Sequence, residues 1–325
     1  MKAWLMFLLK LGLTIGCLWW AFSGIDFQAT ILKRPGDLDW RWVGAGLGFA
    51  GATVLFTALR WRIFLAAQDI RVSVGRVVEL TLIGNLFSLV SVGSLGNDAA
   101  RILLLIREVK GRKLAITISV IADHMSGVVG MALMFFLLTA GRFEALEEQS
   151  VLGRGVLRFT WVYFVGVIAV TVFLFVMMSP AIYRRVHRGG RWMPWKFMHA
   201  LPEIWDVYRK KWRHVLAGVA VSCVMLINYY LVFWAGARAV GCDLDLAGVF
   251  SVMPVVDAVS SIPVSISGIG VRENLFKVLL ADLAGVPGAL AVSASLVGFL
   301  MYSAWAVVGA VLFLRRRGEV EDAAD

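Results

Sequence analysis

Charged residues are scarce in this 325-residue chain: Asp, Glu, Lys and Arg make up 17% of it, against about 25% in an ordinary soluble domain. Cysteine is scarcer still. Cys17, Cys223 and Cys242 are too few and too scattered for a disulfide framework or a zinc cluster. Three of the four histidines (His187, His199, His214) fall in one basic stretch without metal-ligand spacing. Gly268-x-Gly270 has no strand before it, so it is not a dinucleotide fingerprint. With no nucleophile–base set, phosphate loop or metal motif, no catalytic residue, metal or cofactor is expected. Apolar side chains are abundant at 60%, and the mean hydropathy is +0.80. This excludes a water-soluble enzyme, a nucleic-acid binder and a disordered scaffold. The net charge of +10 then reads as loops facing anionic lipid. The chain is an integral membrane protein.

A crossing helix needs about 20 mostly apolar residues. Six stretches qualify: Trp4–Ile25, Val43–Ala66, Leu114–Leu138, Phe159–Met178, Val215–Ala239 and Gly288–Leu314. The first is too long for a signal-peptide core and lacks a small-x-small cleavage site, so it reads as a span. Two further apolar segments are interrupted. Val77–Ile106 contains Gly84, Asn85, Gly93, Gly96, Asn97, Asp98 and Arg101; Leu246–Leu283 contains Pro254, Asp257, Pro263, Gly268, Gly270, Arg272 and Glu273. Irregular backbone at membrane depth survives only inside protein or beside a wet cavity. Each segment therefore reads as a re-entrant helical hairpin, although hydropathy alone counts about eight segments.

Loop charge orients the chain. With the N-terminus inside, the cytoplasmic side receives Arg71, Arg76, Arg107, Lys110, Arg112, Lys113, the run Arg184–Arg213, and Arg315–Arg317. Outer cations such as Lys33, Arg34, Arg142 and Arg158 are diluted by Glu144, Glu147, Glu148, Asp243 and Asp245. This positive-inside bias places both termini in the cytoplasm of a bacterial inner membrane. Residues 180–213, with Trp192, Trp195, Trp205 and Trp212 among Arg and Lys, read as an interfacial amphipathic segment.

The two interrupted segments resemble each other. Val92-Gly93-Ser94-Leu95-Gly96-Asn97-Asp98 aligns with Ile266-Ser267-Gly268-Ile269-Gly270-Val271-Arg272 at an offset of 174, which also carries Leu114 onto Gly288 and Gly44 onto Gly218. Three crossings per half invert the second half relative to the first, a construction of transporters with broken helices. The expected division is a first repeat (1–140), an outer loop (141–158), a second repeat (159–314) and a cytoplasmic tail (315–325).

Gly93-Ser94-Leu95-Gly96-Asn97-Asp98-Ala99-Ala100-Arg101 resembles the GGLGGDxxR signature of the lysylphosphatidylglycerol synthase transmembrane region, a flippase-like family. Gly268-Ile269-Gly270-Val271-Arg272-Glu273 resembles its GGLGVRE signature, and Arg60-Trp61-Arg62 matches a further recurrent feature. The resemblance covers nearly the whole chain and implies a lipid translocase-like membrane domain. The chain departs from the family at three places. Ser267 stands where the family has Pro, Asp123-His124 replaces an acidic–Arg pair, and a last-span Arg has no counterpart around Gly298-Phe299. Since the chain ends at Asp325, no aminoacyl-transferring domain follows and lysylation is not expected of this polypeptide.

Ionisable groups at membrane depth cost about 2.5–3.5 kcal/mol each on insertion scales, so each asks for a reason. Arg101, Arg272, Asp98, Glu273 and Asn97 lie at the hairpin breaks marked by Gly93, Gly96, Gly268 and Gly270. They are candidates for an anionic lipid head group, the alternative being that they pair and fasten the hairpins. Asp98 and Arg272, at matching positions, are expected to pair across the pseudo-two-fold axis. Asp123 and His124 either relay protons or hold the first hairpin. Asp257 either binds a cation or caps a half-helix, capping being favoured. Arg60 and Arg62 are head-group candidates, though snorkelling explains them adequately. Asn228, Tyr229 and Tyr230 are read as interhelical hydrogen-bonding groups. The expectation is an all-α polytopic membrane protein of two inverted repeats that moves a polar-headed lipid between leaflets. The lipid would be a phospholipid, a polyprenyl phosphate or a hopanoid type. Alternatives are an accessory subunit of a separately encoded lipid- or glycan-modifying enzyme, or an intramembrane lipid-phosphate enzyme.

Overall fold

The computed structural model describes residues 2–23, 36, 38–90, 94–139, 151–177, 179, 201–262 and 265–322. Among these residues the regular structure is all helical. The helices are α1 (Lys2–Phe22), α2 (Trp40–Ala67), α3 (Val74–Val90), α4 (Ser94–Glu108), α5 (Lys113–Leu138), α6 (Val151–Met177), α7 (Leu201–Lys210), α8 (Trp212–Ala239), α9 (Leu246–Ser261), α10 (Val271–Ala284) and α11 (Gly288–Asp322). A 3₁₀ turn, Ile266–Gly268, joins α9 to α10. Five helices are long and apolar enough to cross a bilayer: α2, α5, Val151–Phe173 of α6, α8 and Gly288–Arg316 of α11. The chain is thus an all-α multi-pass membrane protein.

Local chemistry sets the helix ends. The Asp39 carboxylate accepts from Arg41 N at 3.0 Å and opens α2, and Asp245 accepts from Gly248 N at 2.8 Å and opens α9. Gly285, at φ 60°, closes α10 in the left-handed conformation.

Helices α2 and α8 share the most extensive interface and run antiparallel. Asp39 N donates to Ala239 O at one end, and Lys211 Nζ donates to Ala67 O at the other. Each of the starts of α8, α9, α10 and α11 lies within three residues of the corresponding first-half start displaced by 174. Helices α3 and α4 form an antiparallel hairpin, because Arg76 near the start of α3 bonds Glu108 at the end of α4 at 2.5 Å. Arg316 of α11 also bonds Glu108, at 2.8 Å, and Lys211 bonds Asp69 at 2.7 Å, so these ends gather on one face. On the opposite face Thr139, after α5, donates to Ser251 O of α9 at 2.9 Å. The inner ends of the two hairpins meet where Ser267 Oγ donates to Ser88 O at 3.1 Å.

The core is aromatic, with Trp61, Phe64, Phe135, Tyr230, Phe233 and Phe276 fully buried. Small residues bring backbones together. A Cβ on Gly309 of α11 would lie 2.0 Å from Leu82 O of α3. Helix α6 packs sparsely and turns Phe159, Trp161, Val162 and Phe173 outward, as a lipid-facing helix does.

Several boundaries differ from the sequence reading. Residues 151–158, read as loop, are the first two turns of α6; Arg154 and Arg158 delay the hydropathy signal but leave the helix intact. Helix α11 continues past Arg315–Arg317, so the tail is helical through Asp322. Of the basic segment 180–213, residues 180–200 (including His187, Trp192, Trp195 and His199) lie outside the described residues, as do Glu144, Glu147 and Glu148. Its remainder is α7 and the first turn of α8. Gly84, Asn85 and Pro254 do not interrupt their helices. Gly96 is also helical, in the first turn of α4, and so is not a break residue; Gly93 lies outside the described residues. Helix α3 tolerates its polar pair because Asn97 Nδ2 donates to Asn85 Oδ1 at 2.9 Å.

Candidate functional site

Helix α5 starts at Lys113 and carries Asp123 ten residues on, about 15 Å along its axis. There the carboxylate, fully buried, meets two arginines from other helices. Arg60 of α2 donates from Nε to Oδ1 at 2.7 Å and from Nη2 to Oδ2 at 3.4 Å. Arg101 of α4 donates from Nη1 to Oδ2 at 2.9 Å. The same Arg101 donates from Nη2 to Asp98 Oδ1 at 2.5 Å, one turn earlier in α4, and lies 4.9 Å from the Trp61 ring centroid. Asp98 Oδ2 is 3.1 Å from His124 Nδ1. Arg60 further donates to Ser222 Oγ of α8 at 3.2 Å, and Ser222 contacts Ser126 Oγ at 3.4 Å. Four helices are therefore joined by one charge network. His124 is its accessible member, its side chain 42% exposed against 17% for Asp98 and 0% for Asp123.

The second hairpin builds a separate cluster. Gly270 and Gly268 have φ +86° and +74°, which places the break where sequence put it. Gly270 N donates to Glu273 Oε2 at 2.5 Å, so Glu273 closes the N-terminus of α10. Its other oxygen accepts from Arg272 at 3.3 Å and from Ser295 Oγ of α11 at 2.9 Å. The Arg272 guanidinium lies 4.3 Å from the Phe299 ring centroid and 5.6 Å from that of Phe233. Asn274 Nδ2 reaches Cys17 O of α1 at 2.7 Å. Tyr229 and Tyr302 meet edge to face nearby, with ring centroids 5.2 Å apart.

Asp98 and Arg272 do not pair. Each has a partner on its own helix, Arg101 at i+3 and Glu273 at i+1, which needs no long-range closure. Asp123 and His124 are joined indirectly: two arginines hold the first, and the second lies against Asp98, which shares Arg101 with Asp123. Arg60 is buried and does not snorkel. Arg62, half a turn away, is exposed and donates to Val72 O at 3.2 Å, outside the cluster. Glu273 is 0% exposed and spends both oxygens inside the protein, which leaves a lipid no free oxygen there. Ser267 has φ 52°, which a proline ring cannot adopt, so this chain's tip differs from the family pattern. Sequence reasoning missed Ser222, Ser126 and Ser295, and named Trp61 only within the Arg60-Trp61-Arg62 feature. Ser126 alone left a signal, sitting three residues from Asp123 on the same helix face.

Fold and cluster together define a polytopic helical membrane protein with broken helices meeting beside a buried ionic network. The chain belongs to the family of the lysylphosphatidylglycerol synthase TM region, whose pattern matches residues 7–311. It is similar to a UPF0104 membrane protein of Pyrococcus horikoshii, 25% identical over 344 residues that cover 98% of each chain. No solved structure matches it.

Proposed function

We propose that this protein moves a polar-headed lipid between membrane leaflets, without enzymatic chemistry of its own. The observation that supports this reading is the Arg60–Asp123–Arg101–Asp98–His124 network, held at membrane depth next to the meeting hairpin ends and accessible at His124. An anionic head group would enter on the His124 side and compete with Asp98 for Arg101, while Arg60 and Asp123 keep the helices joined. The acyl chains would stay in lipid. The antiparallel α2 and α8 and the 174-residue correspondence support two inverted repeats, each with a re-entrant hairpin. The face carrying Arg76, Arg112, Lys211 and Arg316 is then cytoplasmic, with both termini, in a bacterial inner membrane. Phospholipid and polyprenyl phosphate supply such an anionic head group, a hopanoid-type lipid does so only when its polar head carries an acidic group, and a separately encoded lipid-modifying enzyme is the natural source.

Purified protein in liposomes containing a fluorescent anionic lipid tests the reading. Dithionite should bleach dye beyond the outer-leaflet fraction, and Arg101→Gln should reduce this while the protein remains folded. Bleaching confined to the outer leaflet would refute transport. Release of a product would favour an intramembrane enzyme, and neither effect an accessory subunit.

A further inference from the structure

The charges of the buried network cancel except at one residue. Arg60 and Arg101 face Asp98 and Asp123, two cations against two carboxylates. Among the described residues, the charged groups in contact within it are Asp123 on α5, Arg60 on α2, and Asp98 and Arg101 on α4. Helix α8 brings the neutral Ser222, and α6 and α9 bring no charge into contact. His124 therefore sets the sum: zero with a neutral imidazole, one positive charge with an imidazolium. Its side chain is 42% exposed, and histidine changes charge between about pH 5 and 8.

Geometry ties that charge to Arg101. Asp98 divides its oxygens, Oδ1 accepting from Arg101 Nη2 at 2.5 Å and Oδ2 lying 3.1 Å from His124 Nδ1. A carboxylate only accepts, so Nδ1 carries the hydrogen and the charging proton adds to Nε2. With both partners ionised the His124–Asp98 bond strengthens, and Asp98 can leave Arg101 without losing its counter-charge. Nη2 and Nε form one edge of a guanidinium. In Arg60 that edge is filled by both oxygens of Asp123. In Arg101 it is half filled: Nη2 holds Asp98, while Nε is buried without a hydrogen-bond partner. Two oxygens of one phosphate fit this edge once Asp98 withdraws, and Nη1 stays on Asp123 at 2.9 Å, keeping the helices joined.

We propose that the network takes up one proton, on His124, with each monoanionic phosphodiester head group it binds. This rests on the lipid reading above and adds the class of head group and the ion bound with it. The proton brings the network to one positive charge and the diester returns it to zero, so the loaded site is neutral at membrane depth, where net charge is costly. A phosphate monoester, with about 1.5–2 negative charges at pH 7, overshoots. Asp123, held by two arginines, does not accept the proton.

The full-length protein in nonionic detergent is titrated with dihexanoylphosphatidylglycerol, a soluble phosphodiester, and its unfolding temperature is followed at pH 6 and pH 8. The half-saturating concentration should rise at least about tenfold between them. His124→Asn should bind weakly and equally at both values, and His124→Arg tightly and equally at both. Calorimetry of the wild type at pH 7, in two buffers of different ionisation enthalpy, should find more than about half a proton taken up per lipid bound. The monoester dihexanoylphosphatidate should lose affinity more steeply from pH 6 to pH 8, as its second charge develops; an equal or shallower loss would overturn the choice of a diester. Saturable binding that is the same at both pH values, or a His124→Asn variant with the wild-type pH dependence, would overturn the proton coupling and leave the lipid reading standing. Absence of saturable binding at either pH would overturn both.

Discussion

Asp123→Asn is the sharpest test of what joins the first repeat. The substitution keeps the shape of the side chain and removes its charge, leaving Arg60 without a counter-ion and Arg101 with Asp98 alone. Three contacts of 2.7, 2.9 and 3.4 Å are affected, and both arginine side chains are at most 8% exposed. Breaking a buried pair from one side costs about 3–5 kcal/mol, because the surviving charge stays desolvated. For a chain of this size that corresponds to a fall in unfolding temperature of roughly 5–10 °C. Asp98→Asn should cost less, since Asp98 is 17% exposed and Arg101 retains Asp123. Removing the pair together, as Arg60→Met with Asp123→Leu, leaves Arg101 balanced by Asp98. It should therefore be less damaging than Asp123→Asn alone. Thermal unfolding of the three variants in one detergent gives the ranking. If Asp123→Asn unfolds within about 1 °C of wild type, or the double variant is the worst of the three, the network does not hold these helices together.

Three further outcomes are expected. Gly270→Ala should destabilise the protein and loosen α1, because φ is +86° and the new Cβ would sit 2.5 Å from Cys17 Cβ and 2.8 Å from Leu18 N; protease resistance of α1 equal to wild type would contradict this. Asp69 is held below the usual carboxylate range, first by its hydrogen bond from Lys211 and then by that ammonium's charge. A depressed folded-state value means the bridge contributes above the unfolded value of 3.8 and is lost as pH falls through the folded one. The stability gap between wild type and Asp69→Asn should thus be flat near neutrality and close in acid; a gap that persists at pH 3 would rule the bridge out. Finally, in a cysteine-free background, single cysteines at Arg76 and Arg107 should label from one face and those at Asp243 and Asp282 from the other. Opposite labelling of Arg76 and Arg107 would make α3–α4 a through-crossing and remove the hairpin.

The sequence by itself determined the class. Burying so many apolar side chains with so few charges leaves a bilayer as the solvent; backbone satisfaction there allows helices or a closed barrel, and apolar runs of about 20 residues select helices. The crossings were legible because a span is a local property of about 20 residues, as α2, α5 and α8 illustrate. The residues of the ionic network were legible for the same reason: a charge in an apolar run is conspicuous wherever it lies. Their partners were not. Asp98 with Arg101 is an i,i+3 contact, yet its bond to His124, and the meeting of Arg60 with Asp123 across 63 positions, depend on how α2, α4 and α5 pack. The helix interruptions misled for a related reason. Gly84, Asn85, Gly96 and Pro254 resemble breaks in isolation, but in the folded protein neighbouring helices satisfy or tolerate them, and the chain turns elsewhere. Only the tertiary structure decided that Glu273 caps its own helix and that its other oxygen takes the hydroxyl of Ser295 from α11. Both outcomes depend on which oxygens and nitrogens the packed helices bring within about 3 Å, a distance no linear pattern encodes.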